Sequence, residues 1–350
     1  MLKFSISNRA QEIKYLALRD AKVKALKMQP LDKDISGIPF DTDMRISLHV
    51  TYRNIIGRGG FGLVYKGIST LNGDRRAVKT VTVRKDSDRS WIKGEIKGLK
   101  RCQSSPHVVK LFHIDNSLGA VSPWQEIPVG KRFHVHLVQE LGHAFDKIDF
   151  STMPLKGQLG LSRQLIAGVR DIHQKGMMHR DLTRANLLYF ADGHQAKICD
   201  FGKVCFRIHD TEPALAAEQY LPPQVFLKSR DFVYGQDLDI WCLGQSLIRA
   251  FCKDAFNGCR VTPLNPRDKW EHFEIKRNLI DEELRYDFGR LLRSMMAWEP
   301  RDRPTAQSLL NHDAFRDLTP LPVPQTIPAE RECDTHTAKV KAEVGTQKVE

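Results

Sequence analysis

The sequence predicts an α+β chain in two unequal lobes: a small antiparallel β-sheet with one main helix, then a larger, mostly α-helical body. Three observations predict it. Apolar residues alternate with the period of strands from about residue 48 to about residue 141. Beyond about residue 150 they recur at helical spacing. Strands gathered first and helices later segregate into layers with a cleft between them.

The elements follow in order. Residues 8–28 read as a helix: Asn8 and Gln11 resemble a capping box, and Ile13, Leu16, Val23 and Leu26 form an apolar stripe. Pro30 stops it, and the turn residues of 32–43 mark a linker. HVTYRNII, LVYKGI and RRAVKTVTV then predict a meander, with LNGD (71–74) as a hairpin turn. Residues 87–102 predict the main helix of the first lobe, and KLFHI and FHVHLVQEL two further strands. Segments 158–174, 238–251, 286–298 and 305–315 predict the helices of the second lobe. Beyond 316 the chain is proline-spaced, then charged and poor in large apolar groups, so disorder is expected at 317–350.

Composition excludes several classes. At 350 residues the chain can bury a large core, and 41% hydrophobic with 27% charged residues is ordinary for a globular protein. It has no apolar run of membrane-spanning length, and its first twenty residues lack a signal-peptide core. Lys3, Arg9 and Lys14 hint at a transit peptide, but Glu12 and Asp20 oppose it. Seven cysteines, odd in number and without a CxxC pair, predict reduced thiols in an intracellular protein, cytoplasmic or nuclear. The net charge of +12 sits mainly between residues 51 and 316 and suits solubility or phosphate-rich partners. Without interleaved aromatic and basic residues, nucleic acid is not an expected partner.

The run Gly57-Arg58-Gly59-Gly60-Phe61-Gly62 places four glycines in six residues ahead of Leu63-Val64-Tyr65-Lys66-Gly67. A hairpin tip and a backbone lying against phosphates both fit that spacing. Further along come Ala77-Val78-Lys79, then Glu95, then His179-Arg180-Asp181-Leu182-Thr183-Arg184-Ala185-Asn186. Asp200-Phe201-Gly202, Asp239-Ile240-Trp241-Cys242-Leu243-Gly244 and Arg301-Asp302-Arg303-Pro304-Thr305 complete the set. Each part is common alone. Their order and separations together resemble the eukaryotic protein kinase family over about residues 50–316.

That resemblance implies a bilobal kinase-like fold at 48–316 (first lobe 48–141, second lobe 142–316) with an extension at 1–47. It implies transfer of the γ-phosphoryl group of Mg-ATP to a protein hydroxyl. Serine or threonine is the expected acceptor, from the run WEPRDRPTAQSLLNHDAF, with tyrosine as the alternative. The alternatives are a pseudokinase, acting as a nucleotide-binding scaffold or allosteric partner, and a small-molecule phosphotransferase of kinase-like fold, which the RPT region and the DIWCLG helix disfavour.

By the same resemblance, Gly57, Gly59, Gly60 and Gly62 bring backbone N–H groups to the phosphates and Phe61 caps them. Lys79 serves the α- and β-phosphates and Glu95 holds it; Asp200 and Asn186 ligate Mg²⁺; Asp181 takes the acceptor's proton. Val64, Ala77 and Leu188 enclose adenine, with hinge backbone at Glu140 and Leu141. Leu99, Leu111, His179 and Phe201 form an internal stack anchored by Asp239, and Cys199 faces the nucleotide as an alkylation candidate.

The pattern departs from the family in three places. Serine/threonine kinases carry lysine two residues after the catalytic aspartate, where Thr183 stands, and threonine where Ala217 stands, three residues before Tyr220. Arg184 is the neighbouring candidate to replace the lost cation. Ala-Pro-Glu is replaced by Pro222-Pro223-Gln224, which leaves Arg303 to find another carboxylate. Arg180 calls for a negative charge from segment 200–224, either phosphorylated Thr211 or the carboxylates beside it, Asp210 and Glu212. Gly94 and Gly98 either loosen the Glu95 helix, so that segment 8–28 or a regulatory partner steadies it, or allow close packing.

Overall fold

The computed structural model describes residues 46–47, 55–59, 62–69, 73–84, 86–116, 133–210, 216–222, 224–227, 233–251 and 286–318. The expected helix at 8–28, the linker at 32–43, Gly60, Phe61, Thr211 and the tail from 319 lie outside the described residues.

Strands β1 (Ile46–Ser47), β2 (Ile55–Gly59), β3 (Gly62–Ser69), β4 (Arg75–Val83), β5 (Leu111–Asn116) and β6 (Phe133–Glu140) form one sheet. Its order is β1-β3-β4-β6-β5, with β2 also on β3, and every pairing is antiparallel. Strand β4 runs through the middle because both its faces are apolar. Val78 packs with Tyr65 and Val138 on one face. Val81 and Val83 enter the main core on the other, which Lys79 shares by the two-residue period. Helix α1 (Asp86–Arg101) covers that second face, burying Ile92, Ile96 and Leu99 at one helical stripe.

Gly62 has φ +155°, and a Cβ there would come 2.0 Å from the carbonyl oxygen of Thr80. The β2–β3 hairpin therefore demands glycine at 62 whatever it binds. At Gly98 a Cβ would come 2.8 Å from the Phe201 ring. Of the two readings of that glycine, close packing is the one the geometry supports.

The second lobe holds α2 (Leu155–Gln174), α3 (Gln224–Leu227), α4 (Asp237–Phe251), α5 (Tyr286–Met295) and α6 (Ala306–Leu309). From Leu238 to Ile248 every residue of α4 is buried, which makes it the central helix. The expected helix at 305–315 is broken: α6 ends at Leu309, and His312 restarts a turn by accepting the Ala314 N–H at its Nδ1. Short strands unexpected from periodicity line the lobe junction: β7 (His143–Ala144), β8 (Leu187–Phe190) and β9 (Gln195–Ile198) form one sheet, and β10 (His209–Asp210) pairs with β11 (Tyr234–Gly235). One apolar cluster runs from Val81 through Phe201 and α4 to Leu309, joining both lobes.

Arg303 finds its carboxylate at Asp237, with Nη1 donating to Oδ2 at 3.0 Å and Nη2 donating to Gln224 Oε1 at 2.8 Å. Its guanidinium also lies 4.8 Å from the Trp241 ring centroid. Burial lowers Arg303 to about 10, and Asp237 opposes the shift.

Two predictions follow from this packing. Gly98→Ala should lower stability by about 1–3 kcal/mol through the clash with Phe201. In Gly94→Ala the Cβ meets nothing nearer than 3.9 Å, so it should hold or raise the melting temperature; thermal melts of both variants check this. Burial holds His107 and His136 neutral, lowering each to about 4. Below pH 6.5 the unfolded chain takes up protons that the folded chain refuses, so stability should fall as pH drops from about 6.5 to 4. Denaturant midpoints at pH 7 and pH 5 measure the fall, and His136→Gln should shrink it.

Candidate functional site

The cleft between the lobes is built on Lys79. Its Nζ lies 2.6 Å from Glu95 Oε1 on α1 and 2.8 Å from Asp200 Oδ1, just beyond β9. Three elements from both lobes thus meet at one ammonium. Burial pushes Lys79 down, but Asp200 and Glu95 override it and hold the group charged. Burial pushes Asp200 up, and Lys79 brings it below the usual carboxylate range. Glu95, almost fully buried, is raised to about 7 by burial against the pull of Lys79.

Two residues that carry this chemistry have left-handed backbones without being glycine: Arg180 (φ 65°) and Asp200 (φ 62°). Such conformations persist where the surroundings over-determine them. Asp239 does this at Arg180. Its Oδ2 accepts the N–H of His179 and its Oδ1 that of Arg180, each at 2.7 Å, and His173 Nε2 lies 3.0 Å from Oδ2. Burial alone would raise Asp239, but these donors keep it below its ordinary value. His179 Nδ1 accepts the Asp181 N–H at 3.3 Å, which places its proton on Nε2 for the Cys199 carbonyl at 3.0 Å. The ring of His179 stacks edge-on to Phe201 at 4.9 Å, and Leu99 and Leu111 belong to the same apolar cluster as Phe201.

Asn186 Nδ2 donates to the Asp181 carbonyl at 2.8 Å, and the Cys199 N–H donates to the Asn186 carbonyl at 3.0 Å. Asp181, Asn186 and Asp200 therefore hang on one short hydrogen-bonded frame. Asp200 takes Lys79 and the Gly202 N–H on Oδ1, leaving Oδ2 for a cation. An amide oxygen and a carboxylate oxygen are hard donors that fit Mg²⁺ when phosphate oxygens complete its shell.

Val64 lies opposite Lys79 in the β3–β4 register, and Ala77 opposite Gln139 across β4–β6. Gly57 pairs with Val64 and Gly59 with Gly62. A Cβ at Gly59 would meet nothing within 4 Å, so packing gives no reason for glycine there. Leu188 stands on β8 beside Ala144, and Leu141 is half-buried just past β6. The Glu140 N–H is already given to the Lys110 carbonyl at 3.2 Å, and its carboxylate holds Lys197 Nζ at 2.7 and 2.8 Å. That leaves its carbonyl as the group Glu140 can offer a ligand.

Two expectations change. Arg184 does not reach Asp181: its Nη1 donates to the Arg249 carbonyl on α4 at 2.9 Å. The cation at Asp181 is Lys203, whose Nζ lies 2.8 Å from Oδ2. The sequence expectation did not include Lys203; its signal was a lysine directly after Asp200-Phe201-Gly202. Cys199 is a poor alkylation target, since burial, reinforced by Asp200, raises its thiol far above the usual range.

Arg180 is paired without phosphate. Its Nη1 lies 3.2 Å from Asp210 Oδ2 and 3.0 Å from Tyr234 Oη, and Cys205 Sγ donates to the same Asp210 oxygen at 3.1 Å.

Comparison with known proteins places this geometry in context. Residues 50–315 match the protein kinase domain. The chain is 28% identical over 278 residues to mitogen-activated protein kinase kinase kinase 1 of Arabidopsis thaliana, covering 77% of this chain and 42% of that protein. It is 28% identical over 345 residues to mitogen-activated protein kinase 15 of the same plant, covering 86% and 57%. It is 25% identical over 280 residues to serine/threonine-protein kinase pim-2 of Danio rerio, covering 75% and 83%. The chain spans about half the length or less of several relatives it matches. No helix among the described residues is long and apolar enough to cross a membrane. Identity is low, yet the domain match covers most of the sequence, and on that ground the chain belongs to the eukaryotic protein kinase family.

Proposed function

We propose that this chain is an ATP-dependent protein kinase that phosphorylates serine or threonine hydroxyls. The observation that carries the reading is Lys79, held between Glu95 and Asp200 in the cleft. The serine/threonine assignment is supported by the relatives, which include a serine/threonine-protein kinase.

The reaction assigns each residue a task. Backbone N–H groups around Gly57, Gly59, Gly60 and Gly62 would serve the phosphates, with Phe61 to cap them, while Val64, Ala77 and Leu188 would enclose the adenine beside Glu140 and Leu141. Lys79 neutralises phosphate charge, and Glu95 keeps its ammonium from collapsing wholly onto Asp200. Asn186 and Asp200 would hold Mg²⁺, which when bound neutralises the developing charge on the β- and γ-oxygens. Asp181 orients the acceptor hydroxyl and receives its proton. The acceptor oxygen bonds to the γ-phosphorus as the bond from that phosphorus to the β–γ bridging oxygen breaks, its electron pair leaving with ADP. Positioning and charge neutralisation supply most of the rate, and proton acceptance adds about 10²–10⁴-fold.

The purified chain with Mg-ATP and a generic protein acceptor should yield phosphoserine or phosphothreonine, and Asp200→Asn should abolish it. Binding of Mg-ATP without any transfer would instead identify a nucleotide-binding scaffold. A second prediction concerns activation. Asp210 supplies the negative charge that Arg180 requires, so Thr211→Ala should keep activity within about twofold. Asp210→Asn should lower kcat at least tenfold and reduce the melting temperature, because it leaves the Arg180 charge buried without its carboxylate. Steady-state kinetics and melts of the two variants check this.

A further inference from the structure

The geometry points to Lys203 as the cation for the transferred phosphoryl group, moved from the catalytic loop to the start of the activation segment. This rests on the phosphotransfer reading above. Lys203 Nζ lies 2.8 Å from Asp181 Oδ2, with the two side chains only 16% and 12% exposed. Among the described residues it is the one basic side chain paired with Asp181. Position 183 is an uncharged threonine. Arg184 is turned to the Arg249 carbonyl, and Lys79 is engaged by Glu95 and Asp200.

The placement is built. Arg180 Nε donates to the Lys203 carbonyl at 2.7 Å, and the Val204 N–H closes a turn on the Phe201 carbonyl at 3.1 Å. Lys203 is therefore fixed three residues after Asp200, with its ammonium on Asp181. Asp181 in turn is held by the bonds to its backbone from Asn186 and Thr183.

The chemistry suits the position. Charge in the transition state spreads over the three equatorial oxygens of the phosphoryl group. An ammonium carries three donors, so one lysine can steady Asp181 and reach a phosphoryl oxygen together. Lysine acts as a point charge, so its value depends on where its nitrogen ends and little on where its stem begins. Lys203 keeps its protons throughout; the acceptor's proton goes to Asp181, and the bridging-oxygen pair leaves with ADP. Because Lys203 rides on the segment that Arg180 pins, the cation is in place only when that segment is folded.

The test uses the full chain and four proteins: wild type, Lys203→Met, Lys203→Arg, and Thr183→Lys combined with Lys203→Met. Lys203→Met should lose about 10²–10³ in kcat, while its calorimetric affinity for Mg-ATP stays within about threefold of wild type. Lys203→Arg should lose clearly less than Lys203→Met. The double variant should regain at least about tenfold, because it restores the charge from the other side of Asp181. The inference is overturned if Lys203→Met matches or exceeds wild type, or if it loses nucleotide affinity in step with rate. It is also overturned if arginine is no better than methionine and the double variant recovers nothing. A wild type that transfers no more phosphoryl than Asp200→Asn defeats the kinase reading itself, and does so before any Lys203 variant is compared.

Discussion

The structure depends on an ammonium buried between two carboxylates that belong to different lobes. Lys79 cannot lose both partners without stranding a charge out of water. Two negative charges against one positive leave the cluster with a net negative charge. Burial raises the proton affinity of Glu95 against the pull of Lys79, and repulsion from Asp200 adds to the rise, while Lys79 and the Gly202 N–H hold that of Asp200 below its ordinary value. A divalent cation on the outer oxygen of Asp200 would correct the imbalance. On the proposed function, metal and phosphate would bind together, since either alone would leave charge uncompensated in the cleft.

Around that cluster the second lobe works as a rigid holder. Asp239, on the buried stretch of helix α4, accepts two backbone N–H groups that would otherwise be orphaned at the turn bearing Asp181. This turn needs a left-handed residue at Arg180, and the same arginine then reaches out to Asp210, Tyr234 and the Lys203 carbonyl. One side chain thus ties the strained turn to the activation segment. Helix α1 is tied in from the other side, where the missing side chain at Gly98 gives Phe201 its seat.

Much of this was legible in the sequence. The period change near residue 150 separated the lobes, and the ordered motifs brought Lys79, Glu95, Asp181, Asn186 and Asp200 to one place. Short strands were not legible, because β8 and β9 have four residues each and too few repeats to show a period. Pairings made through space were hidden for a different reason. Asp237 reaches Arg303 across 66 residues, and Lys203 reaches Asp181 across strands β8 and β9, so no local spacing announces either. What the sequence did show was the need: an arginine lacking its glutamate and an aspartate lacking its lysine.

Those two vacancies were filled in the same way, and the reason is electrostatic. A buried arginine opposite a glutamine would cost several kcal/mol if it stood alone. Asp237 removes that cost from the first turn of the neighbouring helix, while Gln224 keeps the hydrogen bond that the family's glutamate would make. Asp181 likewise meets a lysine, though from a different segment. Charge at a point in space is the conserved quantity in such an account, and the position that carries it can change provided the backbone delivering it is pinned. Arg180 pins Lys203, and helix α4 pins Asp237. A loop motif read for the presence of one lysine at one spacing would therefore classify this cleft as deficient, although Asp181 has its lysine and Arg303 its carboxylate.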